Sequence, residues 1–276
     1  MGAIGALAIA EGFRLLKIAD KITALSFEGL GAAPSVLDPK SHLARGQKGQ
    51  ILSASRIRKN LEGSYLYKNN HKPSRVQDPY SLRCAPQVHG STNDTLFYAV
   101  EIIEREFNAA TDNPLVFCKD KQVLSGGNFH GQPLALIYDF SAIALSEIAS
   151  ISERRLELLL NPHFSHLNAF LSKKPGLHSG YMAAQYLSAS LVNENKILSH
   201  PASTDSIPGN IGVEDHVSMG MTSARKLVTI TEHLKTVLAI ELLAAAQAVD
   251  LRKDTPLGKG SSKLYKALRK KVPTLE

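Results

Sequence analysis

Apolar positions along the 276-residue chain recur at helical spacing over long stretches, broken by short polar segments. Residues 1 to about 30 are rich in Ala, Leu and Ile and predict a helix, with the apolar pattern already running at Met1. Gly31, Pro34 and Pro39 mark a loop, and Ile51, Leu52, Ile57 and Leu61 predict a second helix. Gly63 to Pro73 is polar and basic and reads as a mobile connection. Between Thr92 and Asn108 a stripe of Leu96, Val100, Ile103 and Phe107 predicts a third helix. Leu115-Val116-Phe117 and Gln122-Val123-Leu124 flank a Lys119-Asp120-Lys121 turn, the pattern of a small hairpin. Helical spacing then runs over about 134–160, 179–198 and 217–249. A helix of about 33 residues spans some 50 Å, a length that belongs to a bundle or a subunit interface.

Composition limits what such a protein does. No run of the sequence reads as apolar enough to cross a membrane, and Met1–Ala10 has no basic flank and is closed by Glu11, so it does not read as a signal peptide. Two cysteines, Cys84 and Cys118, give no disulfide framework, and a reducing cytoplasm is the expected compartment. The net charge of +7 gathers between Arg45 and Arg75 and in a tail carrying Lys259, Lys263, Lys266, Arg269, Lys270 and Lys271. These cations are not interleaved with aromatics, so nucleic acid is not the expected partner; the tail reads as a solvated basic helix face with room for an anionic partner.

Chemistry concentrates in Gln77-Asp78-Pro79-Tyr80-Ser81-Leu82-Arg83. Pro79 pins φ and biases Asp78 away from the helical region, which favours a defined turn. Such a turn can aim Tyr80, a proton donor or acceptor, and Arg83, a bidentate carboxylate grip, at one place; it can equally be a helix start with a surface ion pair. Gly126-Gly127-Asn128-Phe129-His130-Gly131 lacks the features of a phosphate loop, and its glycines serve either a tight turn or close approach of Asn128 and Phe129 to a ligand. Ten histidines include no set at metal-ligand spacing, so no metal is expected. Glu214-Asp215-His216 either binds a cationic or imidazole group or favours the start of the next helix, with Asp215 placed to cap it and Glu214 left free.

Several segments together carry a resemblance: His42–Gln47, Gln77–Arg83, Asp112–Leu115, Ser125–Phe129, Ser152–Arg155, Glu194–Lys196 with Ser199–Pro201, and Glu214–Met219. In this order they resemble the histidine and aromatic amino-acid ammonia-lyase family, most closely its histidine-acting branch. The resemblance implies a mainly α fold, a long-helix bundle of the ammonia-lyase (fumarase/aspartase-like) type with a small hairpin near 115–125. It implies a homotetramer with active sites assembled from three subunits, and the deamination of L-histidine to urocanate and ammonia. By motif, Arg83 would hold the substrate carboxylate with Asn128 as a second contact, Tyr80 and Gln77 would line the reacting centre, and Phe129 would pack beside the prosthetic group. Glu214 corresponds to the acid that faces imidazole; phenylalanine-type members tend to carry Gln there.

The family makes its electrophile, methylidene-imidazolone (MIO), by cyclising an internal Ala-Ser-Gly, and that tripeptide does not occur in this sequence. The expectation is therefore a single partial domain over 1–276, the central and C-terminal helical portion of such an enzyme without its MIO-bearing N-terminal portion, and with further family helices beyond its end. Such a fragment is expected to be inactive alone. The competing expectations are a tyrosine or phenylalanine ammonia-lyase or aminomutase, and a non-catalytic remnant or helical partner subunit that binds a complementary MIO-bearing half.

Overall fold

The computed structural model describes residues 1–73, 75–253 and 255–275. Ten helices and one hairpin are present among them: α1 (Gly2–Leu30), α2 (Pro39–Arg45), α3 (Lys48–Asn60), α4 (Tyr80–Arg83), α5 (Ala85–Phe107), β1 (Leu115–Phe117), β2 (Gln122–Leu124), α6 (Gln132–Leu160), α7 (Pro162–Ser165), α8 (Met182–Leu198), α9 (Gly220–Arg252) and α10 (Lys259–Arg269). Local signals set the boundaries. Gly31 adopts the left-handed conformation at φ 64° and closes α1 with its N–H donated to Glu28 O. Asp38 caps α2 by accepting from Lys40 N, with Pro39 in the first turn. The hairpin pairs Leu115 with Leu124 in antiparallel register.

Three long helices, α1, α6 and α9, run in the same direction. At one end Tyr138 Oη donates to Gly2 O and Ser223 Oγ donates to Asp139. At the other, Ser26 and Arg155 both donate to Glu241. Helix α5 returns between them, with Phe107 beside Gly2, Leu96 beside Gly12, and His89 against Asp20. Helix α8 also runs back, its Tyr181 end packing on one core cluster and its Leu198 end on the other. The cluster nearer Met1 joins Ile9, Leu16, Leu96, Tyr138, Leu145 and Leu227; the far one joins Phe27, Leu61, Leu82, Leu156, Leu159 and Ala245. We call these the Met1 end and the α4 end. Where α3 crosses α5 the backbones touch: a Cβ on Gly49 would lie 2.1 Å from Gly90 O, so neither glycine admits a side chain.

The structure amends several expectations. The third helix starts at Ala85 rather than Thr92, because Pro86 sits in its first turn and the mostly non-hydrophobic stretch Gln87 to Ser91 continues the helix beneath α3. Gly63–Pro73 is anchored rather than loose over its first part: Leu66 is buried and Tyr65 Oη donates to Glu28 O at 2.6 Å. Burial pushes the Tyr65 phenol up to about 12, so it stays a donor in that bond. Helix α9 begins at Gly220 rather than 217. Contrary to the sequence expectation, α6 is long and apolar enough to cross a membrane by length and composition, and 67% of that stretch lies buried inside the bundle. Its apolarity is that of a core helix shared by α1, α5, α8 and α9.

Candidate active site

The heptad forms a turn anchored from within. Asp78 is buried and accepts from Ala33 N at 2.8 Å and from Arg75 Nη1 at 3.3 Å. Pro79 precedes the single turn of α4 at φ −55°, and its carbonyl accepts from Leu82 N and Arg83 N at 3.0 Å. Ser81 and Leu82 point inward, while Tyr80 is 70% exposed. The Arg83 guanidinium lies 4.8 Å from the centre of the Tyr80 ring, within cation–π reach. Its Nε is buried without a hydrogen-bond partner among the described residues, and Gln77 stands exposed three residues before Tyr80. A phenol and a guanidinium therefore face one solvent-open spot, with rigid structure behind them.

That structure is a polar network inside the bundle. Arg155 and Glu241, both fully buried, pair through Nε–Oε1 at 2.6 Å and Nη2–Oε2 at 2.9 Å. Ser26 Oγ donates to the same carboxylate at 2.7 Å, as does Ser152. The remaining Arg155 nitrogen, Nη1, donates to Ser81 O at 3.4 Å and faces His89 Nε2 at 3.5 Å. Guanidinium has no lone pair to offer, so His89 keeps its proton on Nδ1, which donates to Asp20 Oδ1 at 2.9 Å. Ser53 and Arg56 meet Asp20 from α3. The sequence placed Arg155 only within the Ser152–Arg155 segment of the resemblance, and did not bring Arg155, Glu241, Asp20 and His89 together. The available signal was a charged or imidazole side chain on the buried stripe of a long helix.

Asn128, Phe129 and Glu214 lie at the Met1 end. Asn113 Oδ1 accepts from Ser125 Oγ at 3.0 Å and Gly126 N at 2.8 Å, tying the glycine segment to the hairpin base. Asn128 Nδ2 donates to Ala110 O at 3.3 Å, and Phe129 is 58% exposed. His130 Nε2 reaches His216 O at 3.1 Å and the two imidazoles stack, joining this segment to the 199–219 loop. The loop is held by Asp139, whose carboxylate accepts from Ser203 N at 2.7 Å, Ser223 Oγ at 2.9 Å and Lys226 Nζ at 3.3 Å. Gly209 and Glu214 exchange backbone hydrogen bonds, so Glu214 stands exposed at the base of a tight turn. Asp215 does not cap α9: the cap position is Met219, with no side-chain bond.

The sequence-derived candidates thus fall into two groups, Gln77, Tyr80 and Arg83 against Asn128, Phe129 and Glu214. Ser81 is bonded to Arg155 near the C-terminal end of α6, whereas His130 directly precedes its first turn. The intervening helix separates the groups by roughly 35 Å at 1.5 Å per residue. Within one copy they cannot meet on one small substrate. No group of three or more metal-ligating side chains occurs among the described residues.

Comparison with known proteins matches this architecture to one family. The model of the aromatic amino acid lyase family matches residues 1–270. Histidine ammonia-lyase of Caldanaerobacter subterraneus subsp. tengcongensis is 50% identical over 275 residues, covering 100% of this chain and 54% of that protein. The crystal structure of histidine ammonia-lyase from Trypanosoma cruzi superposes with a TM-score of 0.92 at 44% identity, covering 100% of this chain and 52% of the other. Tyrosine aminomutase from Streptomyces globisporus gives a TM-score of 0.94 at 37% identity, over 100% and 56%. The chain spans about half the length of these relatives. With its long parallel helices, its small hairpin and this match over nearly every residue, the chain belongs to the aromatic amino acid lyase family.

Proposed function

We propose that this chain supplies the substrate-holding part of a histidine ammonia-lyase, which eliminates ammonia from L-histidine to leave urocanate. The observation that carries this reading is the exposed Tyr80 ring paired with the half-buried Arg83 guanidinium on a buried scaffold. Arg83 would grip the substrate carboxylate through two parallel charge-assisted hydrogen bonds, with Asn128 as a second polar contact. Tyr80 and Gln77 would line the reacting centre, Tyr80 as a group that can hold or pass a proton. Glu214 would receive the imidazole, and Phe129 would supply an apolar wall. Because the two groups of residues lie far apart in one copy, a complete site would need apposed ends of different copies, in line with a homotetramer. A cytoplasmic location agrees with two free cysteines.

The residues of this chain do not fit the family's prosthetic group, because Ala-Ser-Gly is absent from the sequence and a cyclised tripeptide has no other source here. No chemical step is therefore assigned to it. Positioning of the substrate supplies only part of the barrier to expelling an amine, so the isolated chain is expected to show no lyase turnover. The test is to incubate the purified chain with L-histidine and follow urocanate by ultraviolet absorbance, then repeat after co-expression with an Ala-Ser-Gly-bearing N-terminal half of a relative. Turnover that appears only with the second half, and disappears in Arg83→Ala, supports the reading; steady turnover by the chain alone overturns it.

A second reading follows from the tyrosine aminomutase likeness, which extends over the whole chain. Glu214 separates the two. In the complemented enzyme Glu214→Gln should weaken histidine turnover selectively, and unchanged histidine turnover would favour an aromatic substrate.

A further inference from the structure

A groove that shares no residue with either group of site residues gathers six cations and a single carboxylate. It has a volume of about 710 Å³ and lies between α1, α3 and α10. Each helix turns a pair of cations into it at helical spacing: Lys17 and Lys21 from α1, Arg56 and Lys59 from α3, Lys259 and Lys263 from α10. One carboxylate, Glu62, lines the same groove, 3.8 Å from Lys259. Arg56 leans on the buried Asp20 at 3.6 Å. Lys17, Lys21, Lys59 and Lys263 have no carboxylate within salt-bridge distance among the described residues. The arrangement is built rather than incidental to a charged tail. Gly258 and Gly260 let α10 pack directly on the end of α3, where a Cβ on Gly260 would meet the Asn60 side chain, and Lys259 N donates to Glu62 O at 2.8 Å. The positive end of α10 opens on the groove at Lys259 and Gly260.

Like charges at one-turn spacing repel, and a concave surface of one sign focuses its field on a counter-ion. Cations converging from three sides suit a compact ligand whose negative charges are closely spaced. The lining contains no Phe, Tyr or Trp, so nothing there stacks on a base or an aromatic ring. We propose that this groove is a binding site for a multivalent phosphate chain, recognised by its charges and not by any nucleoside attached to it. An acidic peptide would need an extended track with main-chain partners, which three converging helix faces do not offer. The inference is independent of the lyase reading, since the groove shares no residue with Gln77, Tyr80, Arg83, Asn128, Phe129 or Glu214.

Isothermal titration of the intact chain with sodium tripolyphosphate, at about 0.15 M salt to screen unfocused surface attraction, tests it directly. Saturable one-to-one binding is expected, with ATP binding about as tightly as tripolyphosphate and inorganic monophosphate far more weakly. The exposed-residue double variant Lys21→Gln/Lys263→Gln should weaken tripolyphosphate binding by roughly tenfold or more while circular dichroism stays unchanged. Lys17→Gln/Lys59→Gln provides an independent second pair. Three results would overturn the proposal: no saturable binding by the unaltered chain, tripolyphosphate binding by both double variants as tight as that of the unaltered chain, or binding of poly-L-glutamate without binding of tripolyphosphate.

Discussion

Arg155 and Glu241 are locked to each other by two side-by-side hydrogen bonds, at 2.6 and 2.9 Å, where neither has any contact with solvent. The pair joins α6 to α9 at the same level as α4, and Arg155 also reaches the Ser81 carbonyl. A buried ion pair owes its stability to geometry and full hydrogen bonding, and removing one member strands the other charge. Arg155→Met should therefore destabilise the fold by about 3–5 kcal/mol, whereas Arg155→Met combined with Glu241→Leu should recover most of that loss. Urea unfolding midpoints of the two variants decide it; an equal loss in both would mean that packing, not charge, dominates here.

Asp139 makes a comparable anchor at the Met1 end, accepting from Ser203 N, Ser223 and Lys226. In Asp139→Ala these donors lose their acceptor at a buried position, at a cost of roughly 1–3 kcal/mol for each group left unsatisfied. The strain falls on the loop that carries Glu214. Faster amide exchange at Ser203, with exchange in the centre of α5 unchanged, is the expected signature. Uniform acceleration across the bundle would contradict a local role.

His42 is held neutral. Its Nε2 must donate to Val36 O at 3.0 Å, which leaves Nδ1 to accept from Gln50 Nε2 at 2.9 Å. Burial lowers its pKa below the ordinary 6.5, so the unfolded chain binds this proton more readily than the folded one. Its contribution to stability is therefore complete above 6.5 and is lost as pH falls through the lowered folded value. The unfolding midpoint should decline on acidification through that window, and His42→Gln should flatten the decline. A parallel decline in the variant would assign it to other groups.

Glu28 has the opposite sign. Burial raises its carboxyl pKa above 4.5, although Oε1 accepts from Gly258 N at 2.6 Å. The folded chain then retains a proton that the unfolded chain releases, so stability falls as pH rises from 4.5 through the raised value. Glu28→Gln keeps an acceptor for Gly258 and removes the buried charge. Its melting temperature should exceed that of the unaltered chain at neutral pH and converge with it in acid. A lower melting temperature at neutral pH would show that the charged hydrogen bond outweighs desolvation.

The helices and the hairpin were legible because periodicity is local: Leu96, Val100, Ile103 and Phe107 lie on one stripe whatever surrounds them. The turn at Pro79 was legible for the same reason, since proline restricts its own φ and its neighbour. The first turns of α5 were not, because Gln87 to Ser91 hold only one apolar residue, Val88, and only the packing of α3 at Gly49 and Gly90 gives them a helical neighbour. Asp215 was misjudged as a cap because the start of α9 is fixed by its packing beside Met1 and Ala135, not by a capping residue. His89 went unread because its partners, Asp20 and Arg155, lie 69 and 66 residues away.

By itself the sequence determined the fold class, the run of long helices and the family. Those follow from spacing and identity, which each residue carries with it. Only the tertiary structure decided where these residues stand. Tyr80 and Arg83 share one spot because a single helical turn holds them there, with Ser81 bonded to Arg155 and Leu82 buried. Glu214, Asn128 and Phe129 lie at the other end because α6 is a continuous 29-residue helix, and a helix fixes distance by its rise per residue. Spacing along the chain carries no information about which end of such a helix a distant loop will meet.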